Sequence, residues 1–113
     1  MKNALAYFSM ANEKALAREL AERLAKEIPS SLVEKKRKLL SVNKVTRQLE
    51  TSFQIATDYQ LTHNIGFIRR AALANAFKWE LKEKGYPDDF VDIATEGLVV
   101  AFAKAKQKPA SGA

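Results

Sequence analysis

The sequence predicts an all-α protein, a compact bundle of four to five helices with a central helix at about 67–84. Three observations carry that prediction. Apolar residues recur at three- and four-residue spacing through most of the chain, which is the signature of helical faces. Proline, glycine and short polar runs interrupt this pattern only at a few places. One segment, Leu98 to Ala103, has strand-like β-branched character, but no second segment could pair with it, and a lone strand has no ladder. A helix is therefore expected there too, with strand as the alternative.

The first helix is read from Ala11, Ala15, Ala17, Ala21 and Ala25 interleaved with Leu16, Leu20, Leu24 and Ile28. Alanine and leucine are strong helix formers, and the leucines step by four. Pro29 ends it, because proline disfavours helical geometry in the residue before it. Ser31-x-x-Glu34 then reads as a capping box that restarts a helix at Leu32. From there Leu39, Val42, Val45, Leu49, Phe53 and Ala56 keep helical spacing to about Leu61, with an interruption allowed at Ser41. Thr62-His63-Asn64-Ile65-Gly66 reads as a turn. Phe67 to Leu81 is apolar around most of its circumference, as expected of a helix packed on more than one side. Gly85 is placed as its C′ residue and Pro87 as the stop. Asp88 or Asp89 caps a last helix that carries Gly97 as its weak point. Residues 1–106 read as one domain and 107–113 as a flexible polar tail.

The expected core is Leu16, Leu20, Leu24, Leu39, Val42, Leu49, Phe53, Ile68, Ala72, Phe77, Trp79, Leu81, Phe90, Ile93, Leu98 and Phe102. An apolar content of 47% in 113 residues suffices for it.

Composition excludes several functions. Without cysteine there is no disulfide, thiolate nucleophile or zinc–thiolate site, and one histidine cannot build an all-histidine metal cage. No apolar run approaches the roughly 20 residues of a membrane helix. The N-terminal MKNALAYFSMA is followed at once by Asn12-Glu13-Lys14 and reads as part of the mature fold, so a cytoplasmic location is expected. No cofactor is called for, and no phosphate-binding glycine loop or RNA-binding signature is present. Asp88-Asp89-Phe90-Val91-Asp92 resembles the DDxxD string with which some metal-dependent prenyl-transferring enzymes hold magnesium-bound diphosphate. Such a site needs carboxylates converging from more than one helix. Here there is one copy directly after a proline, where helix capping is the simpler reading.

The net charge of +6 concentrates in the middle of the chain: residues 30–62 carry six Lys/Arg against three acidic residues, and 63–86 five against two. Within VEKKRKLL (33–40), a continuous helix phased by Leu39, Val42, Leu49 and Phe53 turns Lys36, Arg37, Lys44 and Arg47 outward together. Arg69 and Arg70, near the start of their helix, are candidate phosphate ligands beside them. The same outward stripe contains Val33, Leu40 and Ile55, and apolar residues on a polar face suggest a second contact. The function expected is accordingly a non-enzymatic interaction or regulatory module whose partner is another protein or itself, as a homodimer. The alternative is a nucleic-acid binder using Lys36, Arg37, Lys44, Arg47, Arg69 and Arg70.

Overall fold

The structure, a computed structural model, describes residues 2–35 and 42–107, with side chains for 10–33 and 44–105. It contains five helices and, among the described residues, no strand: α1 (Lys2–Glu27), α2 (Ser30–Lys35), α3 (Val42–His63), α4 (Phe67–Glu83) and α5 (Asp88–Gln107). The chain is all-α as expected, and Leu98 to Ala103 lies within α5.

α1 packs against α4 and α3, α4 against α5, and α5 against α3, so the four long helices close a ring around one core. The contacts also fix their directions. Glu13 meets Arg69 and Arg18 meets Glu80, so α1 and α4 run the same way. On α3 the order reverses: Tyr59 reaches Glu13, while Gln48 and Thr51 lie beside Arg23 and Lys26. α4 is the inner member of this arrangement, with Leu73, Ala74, Phe77 and Leu81 buried between α1 and α5.

The chain punctuation explains the element ends. Pro29 stops α1, and its carbonyl accepts from the amides of Leu32 and Val33 at 3.0 and 3.3 Å. α2 therefore begins at Ser30, and Ser31 sits inside it rather than capping it. α3 closes with Asn64 at φ 50°, and the Ile65 amide bonds back to the Gln60 carbonyl. At the end of α4, Gly85 has φ 91°, a conformation a Cβ would strain. Its amide bonds to Lys82 and that of Tyr86 to Leu81, which satisfies the final carbonyls in a Schellman motif. Two long-range bonds latch this turn to the α1–α2 junction: Ser30 Oγ donates to the Lys84 carbonyl at 2.7 Å, and the Tyr86 hydroxyl donates to the Ile28 carbonyl.

Gly97 has a packing reason. A Cβ there would stand 2.7 Å from the Phe53 ring, so the missing side chain is what lets α3 and α5 approach.

Leu20, Leu24, Phe77, Leu81, Leu98 and Phe102 are buried as expected, and Leu16, Leu49, Phe53 and Phe90 pack partly buried against them. Three expected core residues are instead on the surface: Trp79 is 54% exposed, Ile68 68% and Ile93 63%. The buried stripe of α4 fixes the reason. At 100° per residue Trp79 lies about 200° from Phe77, and Ile68 about 180° from it, on the far side of the helix. Ile93 is turned about 200° from Val91, which is fully buried. Ala72 is half-buried, whereas Leu39 and the side chain of Val42 lie outside the described residues.

Candidate functional site

Half of the expected basic stripe falls within the described residues. Lys36 and Arg37 lie outside the described residues; Lys44 and Arg47 are exposed at the start of α3. Across a groove of about 340 Å³, α1 adds Arg23 and Lys26 beside Glu27, Gln48 and Thr51. Arg69 and Arg70 belong elsewhere. Arg47 and Tyr59, which shares a partner with Arg69, are twelve positions apart on α3, about 18 Å of helix.

Arg69 is turned inward. Its Nη2 lies 3.0 Å and its Nε 3.3 Å from the carboxylate of Glu13, and Tyr59 donates to the same carboxylate at 2.5 Å. Glu13 is 0% exposed, on the stripe it shares with Ala17, Leu20, Ala21 and Leu24. Burial and then the bond to Glu13 push the Tyr59 hydroxyl above its ordinary value, and the bond to Glu13 holds Arg69 still more firmly in its charged form. His63 stacks on the Tyr59 ring at 4.2 Å, with Nδ1 3.2 Å from the Tyr59 carbonyl. Glutamate, arginine, tyrosine and histidine together resemble catalytic equipment, yet no solvent reaches the Glu13 carboxylate. The cluster ties α1, α3 and α4 to one another. Arg70 donates to the Ile65 carbonyl at 3.4 Å, at the turn before its own helix.

The expected apolar contact of Val33, Leu40 and Ile55 is also corrected. Val33 is 2% exposed and joins the core, while Ile55 packs partly buried against it. Leu40 lies outside the described residues. The outward phase drawn from Leu39, Val42, Leu49 and Phe53 therefore does not hold for Val33 on α2 or Ile55 on α3.

Apolar surface appears instead on α4 and α5. Of eight large apolar residues that are exposed among the described residues, six stand on these two helices: Phe67, Ile68, Trp79, Ile93, Val99 and Val100. Phe67 and Val99 share an apolar groove of about 350 Å³ with Ala71, Phe102 and Ala103, and Arg70 lies at its edge. Ile68 and Trp79 are eleven residues apart, three turns on one face of α4; Ile93 and Val100 are seven apart, two turns on one face of α5. The Lys82 ammonium lies 5.1 Å from the Trp79 ring centre. Large aromatic side chains bury roughly 150–250 Å² when covered, so at half to three-quarters exposure the six leave on the order of 600 Å² in water.

The charges of α5 are sorted along its length, and Lys104 lines a groove against α3 beside Glu50 and Asp58. Asp88, Asp89, Asp92 and Glu96 occupy its first half, and Lys104 its second. Asp88 and Asp89 lie in the first turn, where the helix dipole favours anions, and Asp89 accepts from the Phe90 amide. No group of residues able to hold a metal is found among the described residues. No helix among them is long and apolar enough to cross a membrane.

No protein-family model, curated protein or solved structure matches the chain.

Proposed function

We propose that this chain is a non-enzymatic docking module that presents the α4–α5 face to another protein surface. One observation carries the reading: six large apolar side chains stay in water on two adjacent helices while the core beneath them is already filled. Covering such side chains is worth roughly 25 cal/mol per Å², so a surface that leaves them bare forgoes stabilisation that a partner supplies. The test is a photoreactive residue at position 99 in the cells that make the protein. A discrete adduct is expected that disappears when Ile68→Glu is added and never forms from position 14 on the exposed side of α1. Equal labelling from both positions removes the reading.

A second reading rests on the exposed Lys44 and Arg47 at the start of α3, next to the groove that Arg23 and Lys26 line with Glu27, Gln48 and Thr51. Four phosphate contacts give a slope of log K against log salt of about −3.6 on duplex nucleic acid, and Arg47→Gln flattens it by about 0.9. A slope indifferent to Arg47 excludes the groove.

A further inference from the structure

We infer that the groove between the start of α4 and the end of α5 binds a small amphiphilic anion, an unbranched apolar chain whose carboxylate rests on Arg70. Such binding goes beyond the docking reading and needs no protein partner. Phe67, Ala71, Val99, Phe102 and Ala103 line about 350 Å³ with apolar side chains, and Arg70 supplies the one charged group at the edge. A mostly apolar lining with a few placed polar groups is the composition of small-ligand clefts, whose volumes run from roughly 300 to 1,000 Å³. Arg70 sets the sign of the ligand. Its neighbour Arg69 is committed to Glu13, whereas Arg70 is half-buried with one long bond, 3.4 Å, to the Ile65 carbonyl and no carboxylate partner among the described residues. Its remaining donors suit a carboxylate held through two parallel bonds. The helix adds to the attraction: α4 has no acidic residue in its first turn and Gly66 gives it no side-chain cap, so no anion of its own helix offsets the positive end of its dipole.

Size and walls select the rest of the molecule. The lining runs from Phe67 to Ala71 on one side and from Val99 to Ala103 on the other, about 6 Å of helix each, less than the roughly 10 Å that a docked partner helix needs for anchors at i and i+7. An extended peptide fits no better. Two helical walls present no strand edge to pair its amides, and amides buried unpaired are costly. A chain that is polar at one end only carries no such cost.

The probe is decanoate, titrated below its micelle concentration into the purified, isotope-labelled full chain and followed by the amide shifts in nuclear magnetic resonance spectra. Saturable shifts are expected at Phe67, Ala71, Val99 and Ala103. Octanoate should bind roughly 15-fold more weakly, about 4-fold for each methylene withdrawn from the groove. Arg70→Gln should weaken decanoate roughly 10-fold and leave the binding of decanol, which has no charge, unchanged. Ala103→Phe fills the groove from an exposed position and should abolish both. The variants' own amide spectra are the folding control, and if Ala103→Phe is misfolded the Arg70 and chain-length comparisons decide. No saturable shift, shifts scattered over the whole surface, decylammonium bound as tightly as decanoate, or an Arg70→Gln protein that binds decanoate as well as wild type each overturn the inference. Decanoate binding without an adduct from position 99 keeps the groove and removes the docking reading; an adduct without decanoate binding does the reverse.

Discussion

Replacing Arg69 by Met should unfold this protein more readily than any other single change to its charged residues. Glu13 is wholly buried and accepts from Arg69 twice and from Tyr59 once. Met fills part of the arginine volume but leaves a buried carboxylate with one donor. Breaking a buried pair by removing one member costs about 3–5 kcal/mol, mostly the penalty of the charge left behind. The Arg69 side chain is about a third exposed, so its own burial opposed the pair only modestly and the loss belongs near 3 kcal/mol. At a urea m value of about 1.5 kcal/mol/M the unfolding midpoint falls by about 2 M with its slope unchanged. A second variant makes the cause specific. Glu13→Leu added to Arg69→Met removes the stranded carboxylate and should recover most of the loss, leaving about 1 kcal/mol for the Tyr59 hydroxyl deprived of its acceptor. A single variant that loses less than about 1 kcal/mol, or a double variant no more stable than the single, refutes this account of the cluster.

Three further outcomes are expected. Phe77→Ala should cost about 3–5 kcal/mol in urea unfolding because it empties the core, whereas Trp79→Ala, two residues away on the exposed side, should stay within about 1 kcal/mol. Gly97→Ala gains about 1 kcal/mol of helix propensity but drives a Cβ into the Phe53 ring, an overpacking cost of about 1–3 kcal/mol; combined with Phe53→Leu it should turn stabilising, and a double-mutant cycle without coupling would contradict the contact. Burial pushes the Tyr86 hydroxyl up to about 12 from an ordinary 10, so its neutral form is favoured in the fold; that stability is fully present below pH 10 and lost as pH rises from 10 towards 12. Tyr59, also raised, acts in the same sense, and the diagnostic comparison is therefore with Tyr86→Phe, whose deficit of about 1–2 kcal/mol at neutral pH should close over that interval.

Local chemistry was legible in the sequence where one residue type admits one backbone. Pro29, Gly85 and Pro87 mark real element ends, because ring closure and positive φ are decided within a residue or two. The helical state of Leu98 to Ala103 was legible by exclusion, since a strand needs a partner. Facing was not. α4 is apolar nearly all round, so periodicity has no polar side against which to orient it, and Trp79 and Ile68 were assigned inward by type alone. In VEKKRKLL the phase misplaced Val33, which went to the core, while Lys36 to Leu40 lie outside the described residues. The tie between Glu13 and Arg69 spans 56 residues and leaves no local trace in Arg69. Glu13 itself did carry a signal. A carboxylate four residues before Ala17, on the same stripe as Leu20 and Leu24, either faces solvent and breaks the stripe or is buried and requires a cation. The exposed face was legible in composition and hidden in geometry: the apolar residues were visible, but which of them the core had no room for depends on packing between helices distant in sequence.

The pairing of α1 with α4 sets the order in which the chain becomes safe as it leaves the ribosome. Ala17, Leu20, Ala21 and Leu24 emerge early, but the helix that covers them begins some fifty residues later, after α2 and α3 have been made. At about 5–20 residues per second the apolar side of α1 stays bare for several seconds, with only the later-emerging α3 able to shield part of it. A nascent chain halted in the turn before Phe67 would hold a finished amphipathic helix with no lid, the kind of species that chaperones bind and that aggregates when they do not. Loop closure over so long a separation also slows folding relative to a bundle of sequential hairpins. In this protein the vulnerable interval of synthesis is written into which two helices are neighbours.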